Sequence, residues 1–413
     1  MLTFAKEIIC PEPAIDDETV MFDIETTGFS SRSTYLYLIG AIYRDNKKLI
    51  LRQWFAENKQ AEAAVLASFF EILGGHSKIC GYNSNGFDIP YVNERCRHYN
   101  LPYTLDAYES IDIFRQIKPL SALLKLENYK QKSVEHFLGI DREDIYNGGE
   151  LIKIYENYVS TSDSSALDTI LLHNADDLRG LLAITPVLSY MQVLEGSFTI
   201  TSLDINHPDS KTCEAIFSAS LDTPVPSRVS CGNDECYMVI YGTTLKIRCR
   251  IYTGELKYFY SDYTNYYYLP FEDRAIHKSV AFYVDKDFRT KAKAANCYSK
   301  KTGMFLPQKS EVISPYFKID YSDKKMYFEL DDTFCNSYDS QYSYMMHVIS
   351  TLLLQFVIEK QLLEAKAKFL VINNLLCITN KKASALNKGI VKLSVYLILC
   401  FLSKVNHYIT AYY

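Results

Sequence analysis

The sequence has no excess of basic residues, no paired cysteine motif and no apolar run long enough to cross a bilayer. Its 413 residues include 44 lysines and arginines against 49 aspartates and glutamates. The 11 cysteines are scattered, which is typical of a chain kept in a reducing compartment. The most apolar stretch, Gly389–Ser403, is shorter than the roughly 20 residues of a membrane span and is interrupted by Lys392. These absences predict a cytoplasmic protein without membrane contact.

The first residues also lack the features of a secretory signal, because charged side chains occur among the first ten and prolines follow them. No internal repeat or low-complexity linker is present. With 48% hydrophobic residues, the chain has the composition of a globular protein of about two domains. Cys231, Cys236 and Cys249 leave a zinc site open as a minor alternative, although their spacing is not that of a standard zinc motif.

What the sequence does contain is a pair of carboxylates at the end of an apolar run. Asp23 and Glu25 follow Val20–Phe22 and are followed at once by a Thr-Thr-Gly turn. If Val20–Ile24 is a strand, the two carboxylates point to the same face. They would repel each other unless a cation lies between them. Because oxygen ligands of this kind suit Mg²⁺ or Mn²⁺, the pair predicts half of a metal site.

Two later segments supply the remaining polar groups. Asp88 comes after a polar glycine loop, at the predicted first turn of a helix. His173 and Asp177 lie one turn apart in the apolar-periodic segment Leu167–Leu194, so they share a helix face. Taken singly, these residues are as compatible with solvated carboxylates, a helix cap and a buried histidine. Four carboxylates in order, each in a suitable element, favour a common site.

These segments resemble the DEDD superfamily of 3′–5′ exonucleases, on the ribonuclease H-like fold, and most closely its bacterial YprB-type branch. The motifs that carry the resemblance span roughly residues 20–190, in the family's order: FDIETTG, YLIG, GYNSNGFDIPYV, SIDIF, KSVEHFLGI and HNADDL. The resemblance implies hydrolysis of phosphodiester bonds at DNA or RNA 3′ ends with two Mg²⁺ or Mn²⁺ ions.

The resemblance also implies a role for each residue of the site. Asp23 would bridge both metal ions, and Glu25 and Asp177 would complete one of them. Asp88 would hold the other ion chiefly through water, and His173 would act as general base. His173 precedes Asp177 by one position fewer than in the family's histidine variant, which is the spacing of its tyrosine variant. The spacing therefore supports Asp177 as a ligand more strongly than His173 as the base.

Substrate contacts are predicted in two loops beside the carboxylates. After the first pair, the backbone N–H groups of Thr26, Thr27 and Gly28 would approach the terminal nucleotide, and glycine permits that close approach. In the second loop, Asn83 and Asn85 are candidates for hydrogen bonds to phosphate or sugar, with simple turn formation as the alternative.

The order of the predicted elements fits the same fold. Strands are predicted at Val20–Ile24, Tyr35–Tyr43, Leu49–Phe55, Ile79–Tyr82 and Tyr108–Phe114, with helices at Ala61–Leu73 and Ile89–Tyr99 and further helices to about Leu194. Residues 1–195 are therefore predicted to form an α/β domain, a mixed five-stranded sheet covered by helices on both faces. Asp112, in the fifth predicted strand, is expected to be structural rather than a ligand.

Residues 196–413 are predicted to form an accessory domain, β-rich at about 235–330 and helical at about 343–413. One of its predicted strands is Ser279–Val284. Residues 1–200 hold 18 lysines and arginines against 28 acidic residues, whereas the remainder holds 26 against 21. The basic half is the expected source of phosphate attraction, chiefly at Lys286–Lys301, with an ordinary solvated surface as the alternative. Tyr263 and Tyr266–Tyr268 fit base stacking or, preferably, strand packing.

The sequence therefore predicts a two-metal-dependent 3′–5′ exonuclease acting on DNA or RNA. Two alternatives stay open: a catalytically inactive nucleic-acid-binding or scaffold module, and a structure-specific endonuclease on the same fold. The complete carboxylate set argues against the first, because lost activity usually leaves a missing ligand.

Overall fold

The structure is a computed structural model that describes residues 1–9, 15–140, 148–209 and 212–354. The first part of the chain is built on a six-stranded sheet. Its strands are β1 (Leu2–Ile8), β2 (Thr19–Thr26), β3 (Leu36–Asp45), β4 (Lys48–Phe55), β5 (Lys78–Gly81) and β6 (Glu109–Asp112). Their order across the sheet is β1-β4-β3-β2-β5-β6. The pairs β1–β4, β4–β3 and β3–β2 are antiparallel, whereas β2–β5 and β5–β6 are parallel.

Helices cover both faces of this sheet. They are α1 (Glu62–Leu73), α2 (Asp88–His98), α3 (Ile113–Ile117), α4 (Ser121–Leu124), α5 (Gln131–Phe137), α6 (Gly148–Thr161), α7 (Ser164–Ile184) and α8 (Met191–Glu195). Successive residues of β2 belong to the apolar clusters on opposite faces of the sheet. Phe22 packs with Phe69 of α1 on one face, and Met21 packs with Leu178 of α7 on the other. The predicted mixed α/β sheet with helices on both faces is confirmed.

Two details of the predicted sheet were wrong. The sheet has six strands rather than five, because Leu2–Ile8 pairs antiparallel with β4 along its whole length. Local sequence gave little sign of this edge strand, since only Leu2, Phe4 and Ile8 are partly buried. The predicted strand Tyr108–Phe114 stops at Asp112, whose carboxylate accepts the Arg115 backbone N–H and so caps the start of α3.

The second part of the chain is a succession of three small sheets followed by a helix. The first contains β7 (Phe198–Asn206), β8 (Glu214–Gly232) and β9 (Cys236–Arg250) in the order β7-β8-β9. The second contains β10 (Tyr252–Phe259), β14 (Tyr298–Gln308), β15 (Tyr316–Phe317) and β16 (Met326–Glu329) in the order β10-β14-β16-β15. The third contains β11 (Tyr266–Leu269), β12 (Arg274–His277) and β13 (Thr290–Lys291) in the order β12-β11-β13.

The β-rich region therefore begins at Phe198 rather than near residue 235. The predicted strand Ser279–Val284 was wrong: α9 (Lys278–Ala281) begins there, with the His277 ring accepting the Ser279 backbone N–H at its start. A short helix α10 (Asp332–Cys335) and a longer one over residues 338–354 follow. The rest of the helical prediction, including Gly389–Ser403, lies outside the described residues. Among the helices that the structure describes, none has the length and apolarity needed to cross a membrane.

The two parts are joined by one apolar core that contains Leu178 and Val193 of the first and Phe217 and Tyr344 of the second. Hydrogen bonds cross the junction as well. The Tyr190 hydroxyl donates to the Ser227 carbonyl at 2.6 Å and accepts from its N–H at 3.1 Å. The domain boundary near residue 195 stays a prediction, because the buried contacts run across it.

Candidate active site

Asp23 and Glu25 lie at the end of β2, in the middle of the sheet. They occupy alternate positions and therefore face the same side as Met21, the side that α7 covers. Glu25 is buried, and the register between β2 and β3 shifts directly after it, at Thr26. The pairing of β2 with β3 is therefore irregular directly after the carboxylate pair.

The helix α7 brings His173 and Asp177 against this pair. His173 Nε2 lies 3.2 Å from Asp177 Oδ2 and 3.6 Å from Glu25 Oε1. One ligand atom from each of these three side chains falls within 4.8 Å of the others. Residues four apart share a helix face, so His173 and Asp177 point in the same direction from α7. Packing of α7 across the end of β2 places both beside Glu25.

Asp88 is the fourth carboxylate, and it is buried at the first turn of α2. Burial raises its pKa to about 7, and the nearby Asp112 carboxylate adds to that rise. Hydrogen bonds from the backbone amides of Asp88 itself and of Ile24 act in the opposite direction. The Ile24 contact ties Asp88 to β2, between the two carboxylates of the first pair.

Electrostatics links all four acidic groups. The pKa of Asp23 is raised well above its usual range, first by burial and then by the charges of Asp177, Glu25 and Asp88, while His173 partly offsets the rise. A carboxylate in this position is costly to ionise without a cation. Clustered carboxylate oxygens are the donor set that Mg²⁺ or Mn²⁺ requires, so the residues present fit a divalent metal centre.

Asn174 contacts the candidate site and was not singled out by the sequence reasoning. Its side-chain N–H₂ donates to Asp23 Oδ2 at 2.9 Å, and its own Oδ1 accepts from Gln53 Nε2 at 2.9 Å. Asn174 is fully buried. A Cβ at Gly40 of β3 would lie 2.0 Å from Asn174 Oδ1, so the glycine of the YLIG motif makes room for this amide. The signal was present, because Asn174 lies beside His173 in the HNADDL motif.

The loop after the carboxylate pair is held by its own threonines. Thr26 Oγ1 donates to the Gly28 carbonyl at 3.0 Å, and Thr27 Oγ1 accepts the Tyr35 backbone N–H at 3.1 Å. A Cβ at Gly28 would lie 2.8 Å from the Thr34 methyl group. The threonine side chains are therefore engaged within the loop, and the Thr27 backbone N–H donates to the Tyr35 carbonyl at 2.9 Å. Contact of this loop with a substrate stays a prediction.

The buried ion pair of Glu62 and Arg95 packs against this loop. The Glu62 carboxylate accepts from Arg95 Nε at 2.7 Å and from the Leu36 backbone N–H at 2.8 Å. Arg95 Nη1 in turn donates to the Ser31 carbonyl at 3.0 Å. Phe29, in the same loop, is 92% exposed and meets the edge of Phe87 at 6.1 Å. Sequence reasoning did not single out Phe29, although its place beside the FDIETTG motif was visible.

The second predicted loop is held by Asp112. Its carboxylate accepts the backbone N–H of Asn83 at 2.9 Å and of Asn85 at 3.1 Å. These contacts give Asp112 a structural role, as expected. Asn85 Oδ1 accepts from Ser110 Oγ at 2.6 Å, whereas the Asn83 side chain is exposed. Asn83 is therefore the stronger of the two candidates for substrate contact.

Neighbouring groups that resemble ligands lie elsewhere. Asp176 points away from the site and accepts from Arg179 Nη1 at 2.9 Å. Cys236 Sγ and Cys249 Sγ lie 3.1 Å apart in a buried position. Within the described ranges, the ligating cluster found is that of Glu25, His173 and Asp177, and the cysteines do not form a second one. The minor zinc alternative thus has no support in this part of the chain.

Comparison with known proteins agrees with this architecture. Residues 20–189 match the family model of the ribonuclease H superfamily. The predicted ribonuclease H-like fold is thereby confirmed. The match is to the superfamily, so the narrower resemblance to the YprB-type branch stays a prediction. No curated protein matches the chain significantly.

Solved structures resemble parts of the chain at low identity. The family B DNA polymerase of the archaeon Pyrobaculum calidifontis is 15% identical, with 60% of this chain and 35% of that chain covered and a TM-score of 0.33. Exonuclease I of E. coli in complex with a dT13 oligonucleotide is 14% identical, with 54% of each chain covered and a TM-score of 0.26. This chain thus spans between about a third and just over half the length of the solved chains it matches.

Proposed function

We propose that this chain is a divalent-metal-dependent nuclease that removes nucleotides from the 3′ ends of DNA or RNA. One observation carries the proposal: Asp23, Glu25, Asp88 and Asp177 converge at the end of β2, where their charges raise the pKa of Asp23. A fold that needed these groups only for stability would not gather four mutually repelling carboxylates at one place, with Glu25 and Asp88 buried and Asp23 and Asp177 half-buried. The match of residues 20–189 to the ribonuclease H superfamily supports the same conclusion.

Two Mg²⁺ or Mn²⁺ ions would be held by these carboxylates. When bound, such ions activate water and stabilise the attacking and leaving oxygens of an in-line displacement. Asn174 holds the Asp23 carboxylate in one orientation through its 2.9 Å hydrogen bond. Fixed ligands of this kind reduce the reorganisation that the reaction requires.

His173 lies where a proton acceptor is useful. Its Nε2 lies 3.6 Å from the Glu25 carboxylate and 3.2 Å from the Asp177 carboxylate. A general base must be within reach of the attacking water, and a histidine is suited to that role near neutral pH. The same contacts allow His173 to position the two carboxylates.

The loops supply the substrate contacts. The backbone N–H groups of Thr26 and Gly28 and the exposed Asn83 side chain would contact the terminal nucleotide, whereas the Thr27 N–H donates to the Tyr35 carbonyl at 2.9 Å. Phe29 offers a ring face to an unpaired terminal base, because it is almost wholly exposed next to the site. These groups favour a frayed or single-stranded end over an intact duplex.

Digestion of end-labelled oligonucleotides tests the proposal. The full chain is incubated with 5′-labelled single- and double-stranded DNA and RNA in Mg²⁺, Mn²⁺ or EDTA. We expect a ladder of 5′-labelled products shortened one nucleotide at a time, and no products in EDTA. Asp177→Asn should abolish the ladder, whereas Asp176→Asn is the matched control, because Asp176 faces Arg179 instead of the site.

The same assay separates the two alternatives. A structure-specific endonuclease would cut circular single-stranded DNA or release long internal fragments. An inactive binding module would shift the labelled strands in a gel without shortening them in any metal. Either pattern would overturn the exonuclease proposal. A cytoplasmic location, inferred from the unpaired cysteines, is tested by fractionation of the cells that make the protein.

A further inference from the structure

The segment between β11 and β14 exposes several large aromatic side chains. Phe271 is 80% exposed, Phe282 78% and Tyr283 86%. The rings lie in pairs, with Phe282 and Tyr283 5.6 Å apart and Phe271 and Phe288 5.8 Å apart between centroids. Neighbouring exposed rings of this kind mark an interaction site on a protein surface.

The backbone that presents these rings is ordered by its own contacts. The Tyr283 N–H donates to the Val280 carbonyl at 3.2 Å, and the Phe288 N–H donates to the Asp285 carbonyl at 3.1 Å. The Arg289 guanidinium donates to the Ala281 carbonyl and lies over the Tyr267 ring, 4.8 Å from its centroid. The rings are therefore held in place before any ligand arrives, which lowers the entropic cost of binding.

Basic residues flank the rings along the chain. Residues 278–293 contain five lysines and arginines against the two carboxylates of Asp285 and Asp287. Lys278, Lys286 and Lys291 are exposed. None of the three takes part in the ion pairs formed among the described residues, whereas Lys300 pairs with Glu255 and Asp273. The predicted basic stretch Lys286–Lys301 thus divides into a part that is neutralised within the fold and a part open to phosphates.

We propose that this ring–lysine surface (Lys278, Phe282, Tyr283, Lys286, Phe288 and Lys291) binds single-stranded nucleic acid. Unpaired bases would stack on the exposed rings, and the lysines would contact the phosphates between them. A duplex fits less well, because its bases are already stacked on each other. The binding does not depend on hydrolysis, so it is measured apart from the activity at the end of β2.

Fluorescence anisotropy in EDTA tests the proposal. The probe is a fluorescein-labelled oligo-dT strand of about 20 nucleotides, longer than the roughly 4–16 nucleotides of such sites. The full chain should bind it more tightly than a duplex of the same length. Phe282→Ala with Tyr283→Ala should weaken binding about tenfold or more, since each stacked base contributes measurably. Tyr283→Phe, which keeps the ring, should bind like the wild type.

The lysines are tested by the salt dependence of binding. Replacing Lys278, Lys286 and Lys291 by alanine should flatten the slope of log K against log salt by about 0.7 for each phosphate that the variant no longer neutralises. The matched controls are Lys324→Ala and Tyr338→Ala, exposed residues of the same kinds in other segments. Both controls should bind like the wild type. Melting temperatures near that of the wild type show that all variants remain folded.

Two results would overturn the proposal. The first is wild-type affinity for oligo-dT in the folded Phe282→Ala and Tyr283→Ala double variant, which would assign the rings to contact with protein. The second is equal affinity for strand and duplex together with an unchanged salt slope in the lysine variant. Loss of hydrolysis in Asp23→Ala would affect neither result, so the two proposals fail or stand separately.

Discussion

The Asp88 carboxyl should make the metal-free protein less stable as the pH rises. Its pKa is about 7 in the fold against 3.8 for an ordinary aspartate, chiefly because it is buried. A carboxyl whose pKa is raised on folding binds its proton more tightly in the folded state than in the unfolded one. Its contribution to the free energy of unfolding is therefore largest below about pH 4 and is lost as the pH rises through about 7.

The size of the effect follows from the shift. A shift of about three pH units at about 1.4 kcal/mol each corresponds to about 4 kcal/mol between acid and neutral pH. Asp88→Asn removes this ionisation while keeping the size of the side chain. Relative to wild type, the variant should therefore gain stability steadily between pH 4.5 and 7.5 in the absence of metal. A divalent cation should make the wild type more stable than Asp88→Asn at neutral pH, because only the wild type keeps all four carboxylates.

Urea unfolding followed by circular dichroism at several pH values in EDTA measures the difference between the two proteins. Taking a difference cancels the titration of groups that do not interact with Asp88, provided that Asp176→Asn, the control, shows no comparable trend. Asp23, whose pKa the Asp88 charge raises, adds to the difference in the same direction. A variant-minus-wild-type difference that is the same at pH 4.5 and pH 7.5 would refute the argument from burial. So would a stabilisation by Mg²⁺ as large in Asp88→Asn as in wild type.

Three further predictions concern catalysis and packing. Asp23→Ala should abolish nucleotide release without unfolding the protein, because it removes the central ligand and relieves repulsion; turnover equal to wild type would contradict the assignment. His173→Ala should lower kcat by about 10²–10⁴-fold and remove one limb of the pH–rate profile, with metal affinity nearly unchanged, if it acts as general base. A loss of metal affinity, measured by calorimetry, would instead make His173 a ligand or positioning residue. Gly40→Ala should cost about 1–3 kcal/mol and reduce kcat, since its methyl group would displace Asn174 from Asp23. A wild-type melting temperature and rate in that variant would show that the amide is dispensable.

Local sequence periodicity determined much of the site. Because strand residues alternate between faces, Asp23 and Glu25 had to share one face of β2. Because helix residues four apart lie together, His173 and Asp177 had to share one face of α7. These are short-range rules, and they hold whatever the rest of the chain does.

Long-range pairing decided the remainder. Leu2–Ile8 becomes a strand only because β4 offers it a free edge, and Ser279–Val284 becomes a helix and turn although its residues alternate like a strand. Its exposed rings also show that alternation of apolar residues does not by itself imply burial.

The tertiary structure also chose the partners of single side chains. It placed Asn174 against Asp23 through the gap at Gly40, more than a hundred residues away along the chain. It also neutralised Lys300 while leaving Lys286 in solvent. Such contacts depend on which segments meet in space. The sequence therefore determined which chemical groups are available and on which face of each element they lie, and the packing of β2, β3 and α7 decided which of them act together.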